Sequence, residues 1–330
     1  IDQVAHIYTA NGTSPVIQVE VGAAEVIAEG ITKYTFRALD GSDLPVWQAG
    51  AHLDIVVTPE YLRQYSMCGD PADRSCYQIA VLHEEDGRGG SKLMQRIFTQ
   101  GRRVFISRPI NHFPLVAEAS HSLLMGGGIG VTPMIAMAHE LHAQNRPFSF
   151  HYSGRRRAAM GFVDDIAGFE WADLAQVHIS EEGSRADFAA IMHAQPEGTH
   201  VYTCGAEHYM KAVMEAAAQA GLPEDSLHLE YFSVPEVLEY VNHPFTLRLA
   251  KSGRDIKVPA DRAPTDVLAE NGVHVDVKCA DGLCGVCKCG LIAGEIDHRD
   301  FVLSKSQRSN TIILCQSRAA QPGGIVEIDL

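Results

Sequence analysis

No run of apolar residues in this 330-residue chain reaches the roughly 18 that a membrane helix needs, so no membrane partner is expected. The first residues, Ile-Asp-Gln-Val-Ala-His, lack a basic start followed by an apolar core, and no secretory leader is expected. Basic charge is scarce: 27 Lys and Arg stand against 41 Asp and Glu, a formal net charge of −14. That balance argues against nucleic acid as a partner. The shortage is uneven. From Glu236 onward 13 acidic residues face 11 basic ones, so most of the excess lies upstream. Repeats and low-complexity tracts are absent. The 8 cysteines show no disulfide-framework spacing, and a reducing, cytoplasmic setting is the expectation. What remains is ordinary globular composition, 46% hydrophobic and 21% charged, in a chain long enough for two or three domains.

Four of the cysteines stand out by spacing. Cys279 is followed after four residues by Cys284, after two more by Cys287, and after 27 more by Cys315. This is the plant-type ferredoxin pattern, in which four thiolates hold a 2Fe-2S cluster. Gly282 and Gly285 lie between the ligand candidates and permit the sharp turns such a loop needs. The competing readings are a four-cysteine zinc site and buried free thiols. Zinc sites usually pair two tight hooks, and here the second hook is a single cysteine. Cys289, a fifth thiol nearby, reads as a small buried residue.

The first third of the chain, from Val19 to about Ile110, alternates in short stretches such as Ile31–Arg37, His52–Val57 and Tyr77–Leu82. Turn clusters separate them, which predicts an antiparallel barrel of about six strands. Within it, Arg63-Gln64-Tyr65-Ser66 places Arg63 and Tyr65 on one strand face and Gln64 and Ser66 on the other. A flavin needs a cation for its phosphate and polar or aromatic groups along its ring. Arg88-Gly89-Gly90-Ser91 then opens a short helix, whose N-terminal N–H groups suit an anion. Ala80 and Val81, on the strand between the two motifs, are counted with the cofactor contacts.

The middle third alternates strand and helix. Ser122-Leu-Leu-Met runs into Gly126-Gly127-Gly128-Ile-Gly130-Val-Thr132-Pro133 and a helix to about His142. Strand, glycine turn and helix form the dinucleotide-binding arrangement, here with Pro133 at the third glycine position. Thr132 is the expected N-cap and Pro133 the first helical residue. Further strands at Phe148–Tyr152, Val177–Ser180, His200–Thr203 and Leu227–Phe232 predict a doubly wound parallel sheet. Cys204-Gly205 ends one strand, where a small thiol and a glycine let a flat ring approach. Phe232 is expected to end the last strand and offer an aromatic face to the flavin. Arg155, Arg156 and Arg157 follow one strand and would attract a ribose 2′-phosphate. Ser180-Glu181-Glu182 follows another and would repel it; an exposed arginine run is more often a solvated loop, whereas a carboxylate beside the ribose accepts from its hydroxyls, so NADH is the expected donor.

The last third begins with a linker, Pro235 to Pro244. A hairpin around Lys251-Ser-Gly-Arg254, a helix from Ala263 to Glu270 and strands at Thr311–Leu314 and Ile325–Ile328 follow. Such a set fits a β-grasp ferredoxin. The expected division is a flavin barrel at 1–117, a nucleotide domain at 118–235 and a ferredoxin domain at 236–330.

Together these motifs resemble the phthalate dioxygenase reductase family, including vanillate demethylase reductases. The resemblance covers about residues 18–330 and includes Asp297-His-Arg-Asp300, a run common in the family's ferredoxin part. One departure is Ala206, where the family usually has Pro. The resemblance implies FMN, with its phosphate held by Arg63 and the Gly90-Ser91 turn, NADH as donor, and a Rieske-type terminal oxygenase as acceptor. The chain is expected to act as a monomer, with no general acid or base, because the cofactors carry the chemistry. Two other readings stay open: a reductase for a haem-thiolate or non-haem monooxygenase, and a redox-sensing protein without turnover.

Overall fold

The computed structural model describes residues 16–58, 61–83, 89–233 and 240–330. The expectations for the N-terminal residues, for Arg88, for the first part of the linker and for the boundary at 235/236 lie outside them. The chain divides into two compact units, one ending at Glu230 and the other running from Tyr231 to Leu330.

The first unit opens with strands β1 (Val16–Ala28), β2 (Ile31–Ala38), β3 (Ala51–Thr58), β4 (Tyr61–Ser66), β5 (Tyr77–Leu82), β6 (Arg103–Ser107) and the short β7 (Ile110–Asn111). They pair in the order β4-β3-β6-β1-β2-β5, with β7 on β3, and every pair is antiparallel. A bridge between Met67 and Ile79 joins the two ends and closes six strands into a barrel. Phe98, just after helix α1 (Gly90–Ile97), packs edge-on against Tyr34 and Phe36 with ring centroids 6.1 and 6.4 Å away. Edge-to-face pairs add to what burial alone contributes, and here they seat α1 on the barrel.

A parallel sheet follows: β8 (His121–Gly127), β9 (Phe148–Gly154), β10 (Ala175–Ile179), β11 (Thr199–Cys204) and β12 (Leu227–Glu230), in the order β10-β9-β8-β11-β12. Helices α2 (Val131–Ala143), α3 (Val163–Gly168), α4 (Phe188–His193) and α5 (Glu207–Gln219) connect these strands. β8 is buried nearly end to end, as a strand covered on both faces must be. The strand order reverses beside it, and ligands bind open sheets at such a switch point. One continuous core runs from barrel residues such as Val19 and Phe36 to sheet residues such as Phe150 and Tyr202.

The second unit has strands β13 (Phe245–Leu249), β14 (Arg254–Val258), β15 (Lys288–Ala293), β16 (Ile296–Asp297), β17 (Thr311–Ile313), β18 (Arg318–Ala319) and β19 (Ile325–Ile328), with helices α6 (Pro264–Glu270) and α7 (Lys305–Arg308). The main sheet runs β14-β13-β19-β15-β17, with β13 and β19 parallel and the other neighbours antiparallel. It wraps a separate core that includes Phe245, Leu268, Cys289 and Ile313. This is the expected ferredoxin-type arrangement.

Two local expectations are corrected. β12 stops at Glu230, so Phe232 is not a strand end; it falls in the second unit and is 44% exposed. Helix α2 begins at Val131, because a 3-10 turn over Gly128–Gly130 winds the chain into it early. Thr132 is therefore inside the helix, buried, with its hydroxyl donating to the Ile129 carbonyl at 3.1 Å, and Gly130 holds the cap position. Helices α4 and α7, with 6 and 4 residues, were too short to announce themselves by periodicity. Among the described residues no helix is long and apolar enough to cross a membrane.

Candidate functional site

The barrel brings its two expected flavin motifs together. A Cβ at Gly90 would lie 2.5 Å from Arg63 Nε and 2.9 Å from its Cζ. Only glycine lets the guanidinium lie against the first residue of α1. Gly89 helps by taking φ +83, a left-handed turn into the helix. A helix N-terminus carries about half a positive charge. Two positive ends held face to face fit a shared anion, and a phosphate is the natural one. Ser91 sits in the first turn of α1, and its carbonyl lies 3.2 Å from His83 Nδ1. Gln64 is engaged sideways: its amide nitrogen lies 2.8 Å from His52 Nε2 and 3.3 Å from Asp54 Oδ1, both on β3. The register of β3 with β4 puts Asp54 opposite Gln64 and His52 opposite Ser66. Ala80 and Val81 are buried on β5, and Tyr65 is partly buried against the core.

The glycine turn after β8 is shaped by close contacts. A Cβ at Gly130 would come within 2.3 Å of the Cys204 carbonyl, and one at Gly127 within 2.7 Å of the Tyr209 ring. Gly128 takes φ +55 and has open space where a side chain would point. The turn therefore packs flat against Cys204-Gly205 on one side and leaves a vacant approach to the start of α2 on the other. Thr132 and Pro133 are buried, so any part they play in binding comes through the backbone of that turn.

The barrel and the sheet meet at a residue that the spacing arguments passed over. Ser66, the last residue of β4, donates to Glu230 Oε2 at 2.8 Å. Glu230, the last residue of β12, is the register partner of Cys204 on β11. Burial pushes the Glu230 carboxyl up to about 7, against the pull of the Ser66 hydroxyl. Burial, helped by the nearby Glu230 carboxylate, holds the Cys204 thiol well above its ordinary value. A carboxyl that titrates near neutrality thus joins the end of the flavin motif to the end of the nucleotide motif. A strand-end Glu next to Tyr and Phe has no sequence signature of its own. Its only sequence signal was its place at the carboxyl edge of the sheet, level with Cys204.

At the other edge of the same sheet the three arginines are all engaged. Arg155 Nε reaches Glu181 at 3.1 Å, Arg157 forks onto both oxygens of Glu182 at 2.9 Å, and Arg156 reaches Glu29 at 2.6 Å. The attracting and repelling signals read from the sequence are partners in ion pairs.

In the second unit the four spaced cysteines converge. Cys279 lies within hydrogen-bond reach of Cys284 and Cys315, and Cys287 within reach of Cys315. These contacts push Cys279 and Cys287 down and Cys284 and Cys315 up, as thiolates sharing protons with neighbouring thiols would be. Backbone N–H groups aim at the sulfurs: Asp281 N at Cys279 Sγ and Cys315 N at Cys287 Sγ, each 3.4 Å. Gly282 and Gly285 take φ +76 and +68, and Ala280 joins them at +57. A Cβ at Gly282 would meet Asp300 Cα at 3.2 Å. The Asp297-His-Arg-Asp300 run is the bed of this loop. Phe301 N donates to the Gly282 carbonyl at 3.1 Å, and the buried Asp300 carboxylate accepts from Leu303 N at 2.8 Å. Arg299, also buried, reaches Asp297 at 2.7 Å and Asn242 at 2.5 Å. Among the described residues no three His, Cys, Asp or Glu side chains have the spacing of a single-ion site. A four-thiol set around a larger two-iron core fits the sulfurs and the N–H groups turned toward them. Cys289 is buried in the core outside this set, its thiol raised mainly by burial.

Residues 104–227 match a family profile described as dimethylamine monooxygenase subunit DmmA-like, N-terminal domain, and residues 247–320 match the 2Fe-2S iron-sulfur cluster binding domain. The chain is 36% identical over 307 residues to a vanillate O-demethylase oxidoreductase of Pseudomonas sp. (strain HR199 / DSM 7063), covering 92% of this chain and 97% of that protein. It superposes on phthalate dioxygenase reductase, described as a modular structure for electron transfer from pyridine nucleotides to [2Fe-2S], with TM-score 0.68 and 34% identity. That match covers 96% of this chain and 98% of the other. An intact type IV self-sufficient cytochrome P450 monooxygenase gives TM-score 0.86 and 36% identity over 96% of this chain, which spans 41% of that longer protein.

Proposed function

The chain belongs to the phthalate dioxygenase reductase family, and from that footing we propose that it carries electrons from NADH, through FMN and a 2Fe-2S cluster, to a Rieske-type terminal oxygenase. The observation that carries the proposal is the Ser66–Glu230–Cys204 junction, which ties the end of the flavin motif to the end of the nucleotide motif. When bound, a nicotinamide supplies a hydride, a flavin accepts the electron pair and releases it singly, and the cluster takes one electron at a time.

The chain's own residues supply position and protons. Arg63 and the start of α1 hold the flavin phosphate; one anion cradle of this kind suits the single terminal phosphate of FMN. Tyr65 and Ser66 line the ring, with Ala80, Val81 and the Gly89-Gly90-Ser91 turn around it. Gly127, Gly128 and Gly130 bring backbone N–H groups to the pyrophosphate, and Gly205 beside Cys204 admits the flat nicotinamide. Glu230, poised near neutrality, holds or releases a proton through the Ser66 hydroxyl at that meeting point. Cys279, Cys284, Cys287 and Cys315 hold the cluster. We divide the first unit near residue 117, between β7 and β8, and assign the chain a cytoplasmic, monomeric existence.

The likeness to a self-sufficient cytochrome P450 favours one alternative acceptor, a haem-thiolate monooxygenase. Anaerobic titration with NADH, read at the flavin and cluster absorbance, tests both. Under the main reading NADH bleaches both signals and an oxidised Rieske oxygenase restores them. Restoration by a haem-thiolate monooxygenase but not by any Rieske component moves the assignment to the alternative. No bleaching by NADH ends both. FAD in the extracted flavin would overturn the FMN assignment.

A further inference from the structure

We infer that Glu181 and Glu182 mask a 2′-phosphate site by occupying Arg155 and Arg157, so that the ends of β9 and β10 carry a latent pocket for the phosphorylated ribose of NADPH. The inference rests on the pyridine-nucleotide reading above. Ile179 of β10 pairs with Gly154 of β9, so Arg155 and Ser180-Glu181-Glu182 leave adjacent strand ends at the carboxyl edge of the sheet. The adenosine ribose of a dinucleotide is read at that edge. The backbone locks the two exits together, with Glu181 N donating to the Arg155 carbonyl at 3.1 Å. Arg156 reaches Glu29 of the barrel instead, and Glu29 N donates to the Ala158 carbonyl at 2.7 Å. That anchor ties the loop to the barrel and leaves Arg155 and Arg157 as the two arginines held by Glu181 and Glu182.

The two masked pairs sit in solvent. Arg155 is 84% and Glu181 47% exposed, and Arg157 is 54% and Glu182 47% exposed. Ion pairs this exposed contribute little to stability, so their effect lies in what they present to a ligand. The four charges sum to zero, so an approaching phosphate dianion meets no net positive charge at the two guanidiniums. With the carboxylates neutralised, two forked donors that match phosphate geometry stand side by side. A 2′-hydroxyl, by contrast, loses only a possible acceptor.

The test uses the full chain with its flavin and cluster. kcat/KM for NADH and NADPH is measured with ferricyanide as acceptor, and 2′-AMP is the inhibitor probe. Wild type is compared with Glu181→Gln/Glu182→Gln and with the same variant also carrying Arg155→Gln and Arg157→Gln. The first variant should raise the NADPH-to-NADH ratio of kcat/KM about tenfold or more, tighten 2′-AMP inhibition similarly, and lose part of both gains at high salt. The second should lose both gains. An unchanged ratio with unchanged 2′-AMP inhibition overturns the inference, as does a gain that survives removal of the arginines. A wild type that already prefers NADPH overturns it too, because the arginines would not be masked. In these three cases the pyridine-nucleotide reading stands; a wild type that oxidises neither nucleotide overturns that reading and the inference with it.

Discussion

Glu230 shows at the scale of one residue how burial sets chemistry. Its carboxyl, ordinarily near 4.5, is raised to about 7 by burial. Below about 4.5 it is protonated in the folded and unfolded chain alike, and folding loses nothing. Between about 4.5 and 7 the unfolded chain releases the proton while the folded chain keeps it. Stability therefore falls across that window, by about 3 kcal/mol at most, and levels off above it. Glu230→Gln should remove this fall. In urea unfolding, the stability difference between variant and wild type should widen from pH 4.5 to 7; a constant difference refutes the assignment. Stopped-flow flavin reduction should also lose its pH dependence near 7 in the variant. None of this was legible beforehand, because Ser66 and Glu230 lie 164 residues apart and a strand-end Glu looks like any surface acid. The cysteines were the opposite case, since their spacing is itself the geometry. Each of Cys279→Ala, Cys284→Ala, Cys287→Ala and Cys315→Ala should abolish the visible absorbance of the cluster while NADH still reduces the flavin. Cys289→Ala should keep it.

At the scale of elements, turns decide more than strands. Gly130→Ala would drive a methyl to within 2.3 Å of the Cys204 backbone, which cannot step aside without moving β11. Overpacking of this kind costs about 1–3 kcal/mol or more. NADH-driven flavin reduction should slow by about tenfold or more as β11 shifts, with the cluster spectrum unchanged. Arg63→Ala should release the flavin, seen as free flavin in the filtrate after ultrafiltration, since the anion cradle loses its charged half. Most elements were readable: alternation marked the barrel strands, and glycine before an apolar helix marked β8 and α2. What failed did so for local reasons. The helix start was misplaced by the 3-10 turn at Gly128–Gly130, which has no periodicity, and β12 was drawn too long because Tyr231 and Phe232 are good strand formers. The Gln64 expectation stands apart from these: its amide nitrogen is engaged with His52 and Asp54 across the sheet, which does not bear on a cofactor contact through its carbonyl oxygen or backbone.

For the whole molecule, the cores define what can be separated. The barrel shares one core with residues of the parallel sheet such as Phe150 and Tyr202, a smaller core lies between Leu123, Met125 and Val201 of the sheet and Val213 of α5, and the ferredoxin part has its own. A chain ending at Glu230 should fold, bind flavin and reduce ferricyanide with NADH, yet fail to reduce cytochrome c for want of the cluster. A chain cut near residue 117 should give aggregated halves, because Phe36 and Tyr202 belong to one interior. Soluble, separately folding halves by circular dichroism would disprove the shared core. That division also bears on inheritance. Glu230, which joins the end of β4 to the parallel sheet, is the last residue of the first unit, and the next residue already belongs to the second. A single genetic crossover just downstream of that codon exchanges the ferredoxin core entire and leaves the barrel and the parallel sheet uncut.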